Sequence, residues 1–181
     1  DRYPTLAPQY ANFYEPVNKP VNTLDEALAY WDWEGFPAFL CSRRNTVAGW
    51  WWISEDRGKI GSLKFQYNWN NKIDWFKLFQ ELVTLTESYF GYVHVFTENE
   101  IEGAGAGSAI DCFLRGTPGV KLKKGIPQLG WGHYFGEEYV KEIDVDLLRN
   151  HGFEVQKFGE GYLFHITDKL VDVIDNYEHF D

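Results

Sequence analysis

The stretch that most restricts how this chain folds is VAGWWWISEDRGKIGSLKFQYNW, residues 47 to 69. Two runs rich in aromatic and β-branched residues flank EDRGK, a glycine-containing loop of hairpin length. Residues 47–54 and 60–69 therefore read as paired strands. Side chains alternate across a strand. Trp51 falls on one side with Val47 and Ile53, while Trp50 and Trp52 fall on the other with Ala48. No single core takes all three rings. One is expected beside a long helix, and the other two under the N-terminal segment or on a recognition surface. In the second strand Leu63, Phe65, Tyr67 and Trp69 alternate with Ser62, Lys64, Gln66 and Asn68, so one side of the sheet is wet or thinly covered.

Around this hairpin the punctuation is mixed. Pro4, Pro8, Pro16 and Pro20 make residues 1–20 an extended wrapping arm. Thr23 and Glu26 have capping-box spacing ahead of Leu24, Leu28 and Trp31, which predicts a short helix. FPAFLCS predicts a strand before a turn at Arg44-Asn45. The strongest helix starts at Asp74, a suitable N-cap. Its expected apolar stripe is Trp75, Leu78, Phe79, Leu82, Leu85 and Tyr89, with Lys77, Gln80, Glu81, Thr84 and Glu87 outward. GYVHVFTE follows as a strand, so strand, helix and strand read as a crossover with the helix on one face. Residues 98–130 read as irregular, broken repeatedly by glycine and proline. GEEYVKEIDVDLLRNHG predicts one or two short helices ending at Gly152. FEVQKF and YLFHIT predict a hairpin around Glu160-Gly161. DKLVDVIDNY predicts a final amphipathic helix with Leu170, Val173, Ile174 and Tyr177 on one side. The expected fold class is α+β, a mainly antiparallel sheet with helices packed on one face, in a single domain over residues 1–181.

Charge and cysteine usage narrow the function. The formal net charge is −10, which opposes nucleic-acid binding because phosphate neutralisation needs clustered Lys and Arg. From Glu137 to Asp181 twelve acidic residues stand against four basic ones, a net of −8. That excess is either a solvated face or a surface for a basic partner. No run of about 18 apolar residues predicts a membrane span. The opening DRYPTLAPQY lacks the basic and apolar regions of a signal peptide. The sequence contains no methionine, so its natural start is expected to lie upstream. Cys41 and Cys112 are too few for a disulfide framework and lack metal-site spacing. Buried thiols in a reducing compartment, the cytoplasm, are expected.

Motifs for chemistry are weak. His94, His133, His151, His165 and His179 form no HxH or HExxH pattern. GAGAGS lacks the terminal Lys-Ser/Thr of a phosphate loop and no helical pattern follows it. Paired carboxylates occur at Glu55-Asp56, at Glu98, Glu100 and Glu102, and at Glu137-Glu138. A glycosidase pair needs burial and a defined separation, which spacing in sequence does not supply. There is no G-x-S-x-G elbow, and neither cysteine carries a nucleophile signature. Lys121, Lys123 and Lys124, with Arg115, are expected to pair within the chain or with solvent. No catalytic residue, metal ligand or cofactor site is assigned.

At GIPQLGWGHYFGEEYV, residues 125–140, and at GYLFHITDKLVDV, residues 161–173, the sequence resembles bacterial polymorphic-toxin immunity proteins, most closely immunity protein family 52. The resemblance spans roughly residues 22–177. It includes a helix leading into a strand (DWFKLFQELVTLTESYFGYVHVFTE), the G-I-P-x-L-x-W-x-x-x-F-G-x-x-Y-V block, and a closing strand before Thr167-Asp168. It implies a protein that blocks a cognate toxin, often a nuclease, by binding it, with no catalytic residues of its own.

Aromatic residues make up 18% of the chain, and Tyr and Trp anchor many protein interfaces at low entropic cost. A toxin with a basic surface is the expected partner. The expected contact residues are Trp50, Trp52, Glu55, Asp56, Glu98, Glu100, Glu102, Glu137 and Glu138. Two rivals follow from the same residues: a carbohydrate- or small-ligand-binding domain using exposed tryptophans, and an enzyme built on a carboxylate pair.

Overall fold

The computed structural model describes residues 3–12, 16–30, 38–43, 47–54, 60–103 and 130–175. Where the sequence reads as one domain, contacts within the chain fall into two compact units, Asp1–Asn70 and Asn71–Asp181.

The first unit is built on a five-stranded antiparallel sheet of order β2-β1-β3-β4-β5. Its strands are β1 (Tyr10–Asn12), β2 (Lys19–Pro20), β3 (Ala38–Arg43), β4 (Val47–Ser54) and β5 (Ile60–Tyr67). The sequence-predicted hairpin is present. Its register runs without interruption from Val47 opposite Tyr67 to Ser54 opposite Ile60. The expected wrapping arm is corrected in part, because β1 and β2 join it to the sheet. Pro20, which has no N–H to give a ladder, sits in the edge strand β2. The preceding residues do lie along the chain's own strands. The Arg43 guanidinium of β3 donates to the carbonyls of Pro4 (3.3 Å) and Ala7 (2.8 Å), and the Tyr67 hydroxyl donates to Thr5 (3.2 Å).

Helix α1 (Leu24–Ala29) begins as its capping signal predicts, with the Glu26 N–H donating to Thr23 Oγ1 at 3.1 Å. The Glu26 carboxylate reaches one residue further back than in the usual box and accepts from the Asn22 N–H at 2.6 Å. Ala27 packs with Ala11 and Val21 in a small core.

The second unit holds a four-stranded antiparallel sheet of order β6-β7-β9-β8. The strands are β6 (Phe90–Val93), β7 (Gly132–Phe135), β8 (Glu154–Phe158) and β9 (Gly161–His165). The crossover expected from β5 to β6 does not form, since β5 ends the first sheet and β6 opens the second. The polar turn Asn70-Asn71-Lys72 marks the change. Helix α2 (Trp75–Leu85) starts at Asp74, whose carboxylate accepts from the Lys77 N–H at 2.9 Å. Its buried side is rotated roughly a quarter turn from the predicted stripe. Phe79 and Val83 are buried with Tyr134 and Leu163, and Phe76 packs against them, while Leu85 is 79% exposed. Gly91 favours the choice: a Cβ there would stand 2.9 Å from the Phe79 ring, which would have to shift to make room.

The fold is α+β with antiparallel sheets, and helices pack on both faces of this one. Opposite α2, the residues Phe135, Val155 and Phe164 meet Tyr139 of α4 (Glu137–Val140) and Val145 and Leu148 of α5 (Val145–Asn150). The β8–β9 turn is Gly159-Glu160 instead of Glu160-Gly161. Gly159 takes a left-handed φ of +54°, and Gly161 is a strand residue whose Cβ would collide with the Phe135 carbonyl. Beyond β9, Leu170 and Val173 are buried with Trp131. The final helix, α6 (Asp172–Asp175), is a single turn with Ile174 exposed, and Tyr177 lies outside the described residues. Among the described residues no helix is long and apolar enough to cross a membrane.

Candidate functional site

The acidic segment before β7 is ordered by a signal the irregular reading of residues 98–130 passes over. Thr97 and Glu100 have capping-box spacing, and α3 (Glu98–Gly103) starts there. The exchange is reciprocal. The Thr97 N–H donates to Glu100 Oε2 at 2.6 Å, and the Glu100 N–H donates to Thr97 Oγ1 at 3.3 Å. The other carboxylate oxygen, Oε1, lies 3.0 Å from His94 Nε2 in a buried pair. Burial works to raise the Glu100 carboxyl, but hydrogen bonds from His94 and Thr97 together outweigh it and hold the group below its ordinary value.

That pair is wired to β7. The Trp131 N–H donates to His94 Nδ1 at 3.0 Å, so Nε2 carries the His94 proton and donates to Glu100. One residue earlier, the Gly130 N–H donates to His133 Nε2 at 2.7 Å. His133 is completely buried, and its Nδ1–H finds no acceptor among the described residues. Rings enclose it: Phe164 and Phe135 stack on the imidazole at 5.4 and 5.8 Å, and Phe90 lies 5.9 Å away. Burial pushes the His133 imidazole down to about 3, so it is neutral. Trp131 is pinned from its other side, with its indole N–H on Thr167 Oγ1 at 2.9 Å and its ring stacked on His165 at 5.2 Å.

This network holds a backbone rather than offering a reactive group. Both nitrogens of His94 and both oxygens of Glu100 are engaged within the chain. Among the described residues no group of three or more His, Cys, Asp or Glu is placed to hold a metal ion. Cys41 is buried; Cys112 and the cluster Lys121, Lys123 and Lys124 with Arg115 lie outside the described residues.

The sequence-predicted contact residues separate accordingly. Glu100 faces inward, while Glu98 and Glu102 are exposed on α3. Glu137 is exposed at the start of α4; Glu138 follows it, with its side chain outside the described part. Trp50 stands opposite Leu40 and Lys64, and Trp52 opposite Ala38 and Ser62, in the first unit; their side chains, and that of Trp51, also lie outside it. Glu55 and Asp56 fall outside the described residues.

Sequence reasoning omitted further exposed carboxylates: Glu142, Asp144, Asp146 and Glu154 on or beside α5 and β8. Leu147 sits among them and is 52% exposed. Arg149 divides its guanidinium between Asp146 at 3.9 Å and the Val155 carbonyl at 3.3 Å, a weak neutralisation. Over residues 130–175 ten acidic residues stand against four basic ones, a net of −6. Comparison with protein-family models, with curated proteins and with solved structures finds no match.

Proposed function

We propose that this chain is an immunity protein, which binds a cognate bacterial toxin stoichiometrically in the cytoplasm and blocks it without transforming a substrate. The observation that carries the reading is the acidic exterior of the second unit, where exposed carboxylates at 142, 144, 146 and 154 flank a half-exposed leucine at 147 in sequence. A negative surface speeds encounter with a basic protein, and an apolar anchor inside a polar rim slows its release. A nuclease toxin, with a basic surface for phosphates, fits that description. The resemblance at residues 125–140 and 161–173 points the same way.

The test is co-expression with the reading frames adjacent to its gene, scored for rescue of growth arrest, followed by isolation of a one-to-one complex. Adjacent frames that are harmless alone, or whose toxicity the chain leaves unchanged, sink the reading. A second reading, a carbohydrate-binding domain, is favoured by Trp69 and Phe65, both exposed in or beside β5. Soluble glycans would then shift tryptophan emission and leave toxin killing unaffected.

A further inference from the structure

We propose that the entry to β7 is an acid-sensitive latch, in which the imidazoles of His94 and His133 hold the consecutive backbone N–H groups of Gly130 and Trp131 and release them on taking up a proton. The geometry carries this. Each imidazole uses its unprotonated nitrogen as the acceptor, at 3.0 Å for Trp131 and 2.7 Å for Gly130. A proton added at either nitrogen replaces a lone pair with an N–H that faces another N–H, and the bond becomes a repulsion. Among the described residues, nothing bonded to His133 offsets a new charge. Its Nδ1 already lacks a partner, and its neighbours across the ladder are Tyr92 of β6 and Phe164 of β9.

Among the described residues, these titratable groups lie around the latch. From β6 comes Tyr92, whose phenol is raised by burial, and just past its end His94 itself; from α3 comes Glu100, and from β9 His165, stacked on the Trp131 ring. From α4 comes Tyr139, on the same side of the sheet as Phe90. A positive charge at His94 opposes one on His133. Proton uptake is therefore coupled to opening, because an opened His133 regains its ordinary basicity.

Amide hydrogen exchange on the full chain, with and without dilute urea, tests the proposal. Protection of the Gly130 and Trp131 amides should fall about tenfold per pH unit as pH drops below about 6.5, and urea should leave it unchanged, the mark of local opening. The double variant His94→Asn, His133→Gln keeps an acceptor at each position without titrating, and its protection should be flat with pH. Protection that is flat in the parent chain overturns the latch. So does protection that matches the β8–β9 hairpin in both level and urea dependence. Should the variant not fold, imidazole nitrogen shifts of the parent decide: a protonated Nε2 on His133 at neutral pH overturns the proposal, and an unprotonated one that gains its proton as protection falls supports it.

Discussion

Helix α3 carries three glutamates within five residues, and the fold treats them in two ways. Glu98 and Glu102 are four residues apart, on one side of the helix and in water; Glu100 lies between them in sequence and on the opposite side in space. There it closes a capping box and holds His94. The same division separates the entry to β7, where polar groups are buried and bonded, from α4 and α5, where carboxylates are left to solvent. A run of acidic residues is thus two different things at once. Its inner member is part of the scaffold, and only its outer members are available to a partner.

Acid should reveal the inner group most strongly. His133 is held neutral in the fold, with its basicity lowered from 6.5 to about 3. Its contribution to stability is fully present above pH 6.5 and is lost as pH falls from there towards 3. Over that window the folding equilibrium should shift by up to tenfold per pH unit. Glu100, held below its ordinary 4.5, adds to the loss at the acid end. Urea denaturation at successive pH values checks this, and His133→Gln should flatten the upper part of the curve.

Next in size is Glu100→Ala, which strands the His94 N–H and the Thr97 donors and should cost about 3 kcal/mol in denaturant unfolding. A loss under about 0.5 kcal/mol would erase the distinction between Glu100 and its neighbours. Asp144→Ala removes the carboxylate that accepts from the Leu147 N–H at 2.8 Å and should cost about 1 kcal/mol, a capping effect with no change in acid sensitivity. Smallest of all, the pair Glu98→Gln and Glu102→Gln should leave stability within about 0.5 kcal/mol. That pair should instead slow association with a basic partner and weaken its dependence on salt, measured by stopped-flow mixing. On-rates that do not change with ionic strength would remove α3 from the binding surface.

How far the sequence foretells these elements depends on whether the deciding contact is local. The β4–β5 hairpin was legible because its alternation runs through eight pairs without a bulge. The N-cap at Asp74 and the end of α5 near Gly152 were legible for the same reason, since each signal lies within a turn of its effect. The buried side of α2 was not. The helix has apolar residues at Leu78, Leu82 and Leu85 as well as at Phe76, Phe79 and Val83, and Gly91 on another element favours the second set. Strands β1 and β2 were hidden by the prolines around them: β1 holds none and lies between β2 and β3, and Pro20 falls in β2, an edge where proline is tolerated. At the site, the spacing of Glu98, Glu100 and Glu102 already separates inner from outer carboxylates once a helix is recognised. The capping box that declares the helix was present in Thr97 and Glu100, obscured by the glycine-rich run that follows.

Gly161 has a consequence for ancestry. The Phe135 carbonyl occupies the space where any larger residue would carry its first side-chain carbon. A mutation at that codon must therefore part β7 from β9 or be eliminated. Distant kin of this molecule, however far their acidic exteriors have drifted, should still share a bare backbone at that one crossing.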